Sequence, residues 1–409
     1  MAKVTRRNAM AMGALGTLAA AACSPQGAAQ SRRVAVIGAG IVGASIAYHL
    51  AREGAQVTVL ERGEIAGRAS RGTFAWLNAS WAKQPRHYHR FNQLGLAGWH
   101  ELADELSIPI KWGGSLEWFG SSERQARLAQ QIAEQVEWGE PARMVEREEL
   151  ARLEPAVDFG AAQAVAFSPN DGALDPVLAS KMLLDAAVAL GAHVKTQCAV
   201  IAARKQEGST LLETSQGDLE TDIFVLATGA DPEAIGTLAE MEIPQRSTPG
   251  VIAVTKPFEQ RLNHIIAAPG VHLHQRLDGR LVLGEQDGAP QNAAHEARLA
   301  GMPVDFPLRE LGQQHAARIL EVADQFVPGI GNAEFEDAYI GWRPLPLDGH
   351  PVIGQSPARD DAYIAVSHSG VSLAPIIGRL VAQEVIGGGD AELLANYRPS
   401  RSFEEIRRY

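Results

Sequence analysis

The stretch VAVIGAGIVG, residues 34–43, decides the fold of this chain. Its glycines Gly38, Gly40 and Gly43 fit the pattern G-x-G-x-x-G, with a short apolar run before them and a helix-like run, Ile41–Arg52, behind. A strand, a glycine turn and a helix in this order form the unit that binds a dinucleotide. The first glycine allows the tight turn, the second lets the backbone approach a pyrophosphate, and the third lets helix and strand pack closely.

An acidic residue follows the second predicted strand of this unit. The strand covers residues 57–60 and is followed by Glu61, about 20 residues past the turn. A carboxylate at this place accepts hydrogen bonds from ribose hydroxyls and repels the 2′-phosphate of NADP. The motif therefore favours NAD or FAD and leaves both open. No second G-x-G-x-x-G and no C-x-x-C follows, which indicates one dinucleotide cofactor.

The composition is typical of a globular protein of about two domains. The chain has 409 residues, of which 46% are hydrophobic, and this is enough for a substantial core. Its formal net charge of -11 argues against a nucleic-acid partner, because phosphate binding depends on a basic surface. Beyond Ala22 only Cys23 and Cys198 are cysteines, so a disulfide framework is not expected.

The start of the chain has the features of an export signal. Lys3, Arg6 and Arg7 precede an alanine-rich run, 9–22, which is shorter than the roughly 20 residues of a membrane-crossing helix. The paired arginines resemble a twin-arginine signal. The residues before Cys23 loosely resemble a lipoprotein cleavage box, and the alternatives to lipidation are simple cleavage or a non-functional tail. We expect a periplasmic or otherwise exported protein, with possible membrane attachment through Cys23.

The order of predicted elements indicates an α/β fold, with a Rossmann-like nucleotide-binding domain and an inserted mixed-sheet domain. DGALDP, residues 171–176, predicts a helix start with Asp175 as N-cap, and the last helix is expected to begin near Pro375. The predicted ranges are 1–30 for the export signal, 31–85, 150–235 and 340–409 for the nucleotide-binding domain, and 86–149 and 236–339 for the inserted substrate domain.

Four later segments carry a family resemblance. They are AGRASRGTFAW (66–76), FVLATGAD (224–231), GWRPLPLDGHPVIG (341–354) and AYIAVSHSGVSLAPIIGRL (362–380). Together with the opening unit and in this order, they resemble the superfamily of FAD-dependent D-amino acid oxidases, glycine oxidases and sarcosine oxidases. The resemblance covers nearly all of the chain after Ser31 and implies FAD as the cofactor.

The resemblance also implies where FAD binds. Glu61 is expected on the adenosine ribose, residues 69–72 near the pyrophosphate, and the backbone N–H groups of 369–372 at the flavin pyrimidine edge. A helix N-terminus there stabilises the negative charge of reduced flavin. No cysteine follows Cys198, so the FAD is expected to be non-covalent. The full expected set is Gly38, Gly40, Ile41, Val42, Gly43, Glu61, Arg62, Ala69, Ser70, Arg71, Gly72, Thr228, Gly229, Arg343, Ser369, Gly370, Val371 and Ser372.

On the substrate side, Arg343 matches the position from which members of this superfamily bind the substrate carboxylate. A guanidinium donates two parallel hydrogen bonds to a carboxylate, although a structural ion pair is the alternative role. His272 and His274 alternate on a predicted strand and so share a face. We expect them to line the pocket opposite the flavin, His274 slightly favoured, with ordinary hydrogen-bonded residues as the alternative. Lys83 and Asn78 are weaker pocket candidates, and no metal site is expected.

The expected reaction is oxidation of an amino acid, or of a secondary amine that bears a carboxylate, by hydride transfer to flavin N5. The imine product would hydrolyse to an oxo acid. The electrons would pass to oxygen or to a respiratory carrier. Three alternatives stay open at this point: an FAD-dependent 2-hydroxy acid dehydrogenase, an NAD-dependent dehydrogenase, and a binding lipoprotein without turnover.

Overall fold

The structure is a computed structural model. It describes residues 31–80, 83–286 and 301–405. The predicted export signal 1–30, with Arg6, Arg7 and Cys23, lies outside the described residues.

Eight α-helices lie in the described part of the chain, and several predicted boundaries are confirmed. The N-cap of the fifth helix is Asp175, whose Oδ1 accepts a hydrogen bond from the Val177 N–H at 2.9 Å. The helices are α1 (Ile41–Arg52), α2 (Arg86–Leu106), α3 (Ser122–Glu137), α4 (Arg147–Leu153), α5 (Pro176–Ala189), α6 (Pro232–Ala239), α7 (Arg309–Asp324) and α8 (Gly370–Gly387).

The strands of the described residues form four sheets. In chain order they are β1 (Arg33–Ile37), β2 (Gln56–Leu60), β3 (Trp76–Leu77), β4 (Ile110–Trp112), β5 (Ser115–Glu117), β6 (Arg143–Glu146), β7 (Ala164–Ser168), β8 (Gly172–Leu174), β9 (His193–Lys195), β10 (Val200–Gln206), β11 (Ser209–Thr214), β12 (Leu219–Thr221), β13 (Ile223–Leu226), β14 (Gln245–Pro257), β15 (Ile265–Ala268), β16 (Val271–Gln275), β17 (Arg280–Gly284), β18 (Phe335–Pro346), β19 (Val352–Gln355) and β20 (Ala362–Val366).

The first sheet has the order β19-β20-β13-β1-β2-β9, and all its neighbours are parallel except β19 and β20. Successive β1 side chains point to opposite faces. Val34 and Val36 join the core formed with α1, α2, α5 and α8, whereas Ala35 and Ile37 join the core formed with α6 and β11. Because both faces are covered, the central strands β13 and β20 are buried along their whole length. The predicted α/β class is confirmed.

The second large sheet is mixed, with the order β18-β14-β17-β16-β15-β5-β7-β6. Leu273 and Leu283 on one face pack against Ile319 of α7. Strand β7 falls within the range 150–235 that was predicted for the nucleotide-binding domain. It pairs with β5 and β6, however, and therefore belongs to the mixed sheet. The domain boundaries themselves stay a prediction.

The last helix begins earlier than expected. Pro375 was predicted at its start, yet α8 begins at Gly370 and includes the proline. Proline has no N–H to donate to the carbonyl four residues before it, which here is that of Val371. The indole N–H of Trp99, on α2, donates to this carbonyl instead at 2.7 Å. A donor that is distant in sequence therefore lets the helix continue through Pro375.

Helix α8 has the length and apolar composition of a membrane span, with a mean hydropathy of 1.2, and no other helix of the described residues does. It nevertheless packs against α1 and α2, and 67% of its residues are buried. Its apolar character is that of a helix in a protein core.

A buried carboxylate joins the mixed sheet to the segment that contains β3. Asp171 accepts hydrogen bonds from the indole N–H of Trp76 at 2.9 Å, from Ser80 Oγ at 3.1 Å and from Ser115 Oγ at 2.6 Å. Burial raises the pKa of Asp171 to about 7, and burial together with the charge of Asp171 raises the pKa of Glu117 well above its usual range. The charge of Glu140 adds to the effect of burial on the pKa of Asp171.

The raised pKa of Asp171 predicts a pH-dependent stability. A carboxyl whose folded-state pKa lies above the unfolded value near 3.8 stabilises the protein fully only at low pH, and that contribution is lost as the pH rises through about 7. We expect the unfolding free energy of the wild type, relative to Asp171→Asn, to fall between about pH 4 and pH 8, by at most roughly 4 kcal/mol.

Denaturant unfolding of both proteins across this pH range measures the effect. Asp158→Asn removes an exposed carboxylate and controls for the change in net charge. Parallel pH profiles for the wild type and Asp171→Asn would contradict the prediction.

Candidate active site

The glycine turn between β1 and α1 is built so tightly that side chains do not fit. Gly38 has φ 107°, and a Cβ on it would lie 2.5 Å from the Ala227 carbonyl oxygen. A Cβ on Gly43 would overlap the Gly38 carbonyl. Gly43, which was expected among the cofactor-binding residues, therefore sets the packing of helix on strand and does not line the cavity. Ile41 and Val42, in the first turn of α1, line the cavity.

Glu61 stands at the end of β2 and is held by backbone donors. Its Oε2 accepts from the Ala39 N–H and its Oε1 from the Gly63 N–H, both at 2.8 Å. These bonds fix the carboxylate at the cavity wall, where it can accept hydrogen bonds from the hydroxyls of a ribose. The neighbouring Arg62 also lines the cavity and forms an ion pair with Asp231 at 2.7 Å.

The loop after Glu61 closes over the N-terminus of α1. Ser70 Oγ accepts a hydrogen bond from the Ile41 N–H at 3.0 Å. Arg71 differs from the prediction, because its guanidinium points away from the cavity. It pairs with Asp305 at 2.6 Å and lies 4.6 Å from the centre of the Tyr339 ring. These two contacts hold Arg71 away from the cavity that its neighbours line.

At Gly72 the same loop touches β18 backbone to backbone. A Cβ on Gly72 would lie 2.5 Å from the Cα of Gly341, and a Cβ on Gly341 would overlap the Gly72 carbonyl. Only glycine at both positions permits this approach. The contact brings the predicted pyrophosphate loop to within two residues of Arg343 on β18.

The first turn of α8 is held from several sides. Ser369, its N-cap, accepts hydrogen bonds on Oγ from Lys83 Nζ and from the Tyr88 hydroxyl, both at 2.9 Å. Ser372 Oγ donates to the Trp76 carbonyl at 3.3 Å and accepts from the Asn78 N–H at 3.2 Å. The helix N-terminus, which carries a partial positive charge, is thereby aimed into the cavity.

These elements surround a cavity of about 830 Å³ between the two large sheets. Glycine turns, helix N-termini and Glu61 lie along it together, so the cavity fits a dinucleotide in both volume and donor set. Of the residues predicted for the site, those that line it are Gly38, Gly40, Ile41, Val42, Glu61, Arg62, Ala69, Ser70, Gly72, Thr228, Gly229, His272, Arg343, Ser369, Gly370, Val371 and Ser372.

Arg343 lies in the same cavity on β18, beside β14. Its partner in the strand register is Thr248, and its side chain crosses the bare backbone of Gly250. A Cβ on Gly250 would lie 2.8 Å from Arg343 Nη2. A side chain at position 250 would therefore displace the end of the flexible Arg343 side chain.

The two histidines of β16 share a face, as their alternation predicts, but only one lines the cavity. His272 lines it and lies 5.7 Å from Trp76, ring centre to ring centre. His274 is buried beneath Phe74, and its Nε2 lies 3.0 Å from the Phe74 carbonyl. Burial lowers the pKa of His274 to about 3, so it is neutral. The expected preference for His274 over His272 was therefore wrong. The loop that carries Phe74 covers His274 and leaves His272 at the cavity.

Several cavity residues were absent from the main prediction. Lys83 and Asn78 were weak candidates, and both line the cavity, as do Phe74 and Trp76 of the following loop. For Asp171, which orients Trp76, the sequence pattern predicted only a turn before a helix. The chain segments that meet around Asp171 are far apart in sequence, so no local pattern could have identified it.

Comparison with known proteins places the chain among flavoenzymes. A glycine oxidase of Bacillus licheniformis is 26% identical over 364 residues, which cover 86% of this chain and 92% of the relative. A second glycine oxidase, of Geobacillus kaustophilus, is 24% identical over the same shares of the two chains, 86% and 92%.

Solved structures show the same fold. Glycine oxidase from Geobacillus kaustophilus superposes with a TM-score of 0.80 at 22% identity, over 91% of this chain and 100% of that one. L-proline dehydrogenase from P. horikoshii gives 0.75 at 22% identity, over 90% and 97%. The model of the family described as DAO, FAD dependent oxidoreductase, matches residues 33–384. The chain therefore belongs to the DAO family of FAD-dependent oxidoreductases.

Proposed function

We propose that this enzyme oxidises an amino acid, or a secondary amine that bears a carboxylate, with FAD as the electron acceptor. The observation that carries the proposal is Arg343, which lies in the same cavity as the dinucleotide turn and on the bare backbone of Gly250. Relatives named glycine oxidase and 4-methylaminobutanoate oxidase support this class of substrate. Membership of an FAD-dependent family argues against the NAD-dependent alternative.

Arg343 binds and orients the substrate in this proposal. Its two parallel N–H donors hold the carboxylate, which places the α-carbon hydrogen relative to the cofactor. Bound FAD supplies the hydride acceptor at N5. Phe74, Trp76 and Ile252 give the cavity an apolar wall that excludes water and favours the neutral form of the amine. A strong side-chain base is therefore not required, and the imine product hydrolyses in water.

A 2-hydroxy acid is the second candidate substrate, because Arg343 recognises only the carboxylate. An anaerobic visible spectrum separates the two. Bleaching of the flavin band by glycine, sarcosine, proline or another amino acid supports the amine substrate, and bleaching by 2-hydroxy acids alone supports the alternative. Protein that binds no FAD would overturn both. Formation of peroxide in air, against reduction of a quinone analogue, distinguishes oxygen from a respiratory carrier as the acceptor.

Replacement of Arg343 tests its role directly. We expect Arg343→Gln to weaken binding of the carboxylate substrate by tenfold to a hundredfold, because a charge-assisted hydrogen bond contributes about 1.5–3 kcal/mol. Stopped-flow reduction of the flavin at varied substrate concentration gives both the dissociation constant and the rate of reduction. Arg343→Lys keeps the positive charge and should bind the substrate more tightly than Arg343→Gln. It should still bind more weakly than the wild type, because an ammonium lacks the fork of two parallel N–H donors.

The matched control for this substitution is Arg246→Gln, which lies on β14 and pairs with Glu405 outside the cavity. It should leave the dissociation constant unchanged. Equal substrate affinity in Arg343→Gln and the wild type would refute carboxylate binding by Arg343. FAD released into the supernatant by acid precipitation would support non-covalent attachment, whereas flavin retained in the pellet would oppose it.

We also infer that residues 1–30 direct export, from the paired arginines and the short apolar run. Arg6→Lys with Arg7→Lys should keep the precursor in the cytoplasm, measured by fractionation of expressing cells. Cys23→Ala should move the exported enzyme from the membrane to the soluble fraction if Cys23 carries lipid. An unaltered distribution in the double arginine variant would contradict twin-arginine export, and membrane attachment unchanged in Cys23→Ala would contradict lipidation.

A further inference from the structure

A lysine is bonded to the helix end that faces the cavity. Lys83 lies in the segment before α2, lines the cavity and donates from Nζ to Ser369 Oγ at 2.9 Å. Its ammonium lies 5.7 Å from the centre of the Tyr88 ring, and the Tyr88 hydroxyl donates to the same Ser369 oxygen. Two segments that are almost 300 residues apart are thereby joined at one hydroxyl group.

The two hydrogen bonds that Ser369 Oγ accepts leave its hydroxyl hydrogen available for a further hydrogen bond. A serine hydroxyl has one donor and two acceptor lone pairs. Lys83 and Tyr88 supply two donors to the oxygen, so the hydroxyl hydrogen is directed to an acceptor elsewhere. Ser369 is also the N-cap of the 18-residue helix α8. A donor hydroxyl, a helix N-terminus and a full positive charge therefore meet at one end of the cavity.

The Lys83 ammonium, the Ser369 hydroxyl and the N-terminus of α8 together stabilise negative charge on a group bound next to them. Two-electron reduction of a flavin with uptake of one proton leaves one additional negative charge, which resides at the pyrimidine edge. The oxidised flavin carries no such charge. A cation near this edge consequently stabilises the reduced cofactor more than the oxidised one, and it raises the reduction potential.

We propose that Lys83 is a positioning residue that raises the reduction potential of the bound flavin through Ser369. The inference rests on the proposed function, with the flavin pyrimidine edge at residues 369–372. The electron balance is that of the oxidation itself, since a hydride leaves the substrate carbon for the flavin and Lys83 exchanges no proton. Tyr88 fixes the shared hydroxyl and carries no charge in this role.

The reduction potential is the direct test. We expect the FAD of Lys83→Met to be reduced at a potential lower by about 30 mV or more, which is a tenfold loss in the preference for reduced over oxidised flavin in a two-electron couple. The potential is measured by equilibration with reference dyes in the absence of substrate. Lys83→Arg keeps the charge and should restore most of the wild-type value.

Two further variants isolate the cause. Lys205→Met removes an exposed lysine of β10 that pairs with Asp360, and it should leave the potential unchanged. If Lys83→Met does not retain FAD, Lys83→Gln keeps a donor for Ser369 without the charge and should show the same lower potential. In a Ser369→Ala background, removal of Lys83 should change the potential less than it does in the wild type.

The outcomes separate this inference from the proposed function. A wild-type protein without bound flavin would overturn the proposed function itself. Bound flavin with the same potential in the wild type, Lys83→Met and Lys83→Gln would overturn only the role of Lys83. An equal effect of Lys83→Met with and without Ser369 would overturn the route through the serine hydroxyl.

Discussion

The backbone contact between Gly72 and Gly341 is the constraint on which the site depends. At this point the loop that follows β2 and the strand that carries Arg343 meet with no side chain between them. One segment belongs with the nucleotide-binding turn, and the other belongs to the mixed sheet. Because two glycines bring the segments into direct contact, they fix the distance between the loop after β2 and the strand that carries Arg343.

Helix α8 is the second element that orders the cavity. Its first turn is bonded by residues before and within α2 and by the loop that carries Trp76. That loop is in turn fixed by Asp171, which reaches β5 through Ser115. A chain of hydrogen bonds therefore runs along the cavity wall from the first turn of α8 to the mixed sheet. Networks of this kind rigidify a site when each member is satisfied.

Sequence alone predicted those parts of the site that local rules determine. The glycine turn, Glu61 and the Asp175 cap depend on neighbours a few residues away, so their patterns are visible in the chain. The start of α8 depends on Trp99, and the position of His274 depends on Phe74. Alternation on β16 shows that two histidines share a face, but it does not show which one a distant loop covers. Arg71 was misplaced for the same reason, since Asp305 and Tyr339 draw it outward.

The contact between Arg343 and Gly250 makes position 250 a determinant of where the guanidinium lies. A Cβ there would stand 2.8 Å from Arg343 Nη2, so any other residue would move the end of the arginine side chain. Under the proposed function, position 250 would therefore influence where the substrate carboxylate is held, although glycine itself has no side chain to contact the substrate. A larger residue at position 250 would alter the geometry of carboxylate binding without touching the glycine turn between β1 and α1, which lies elsewhere along the cavity.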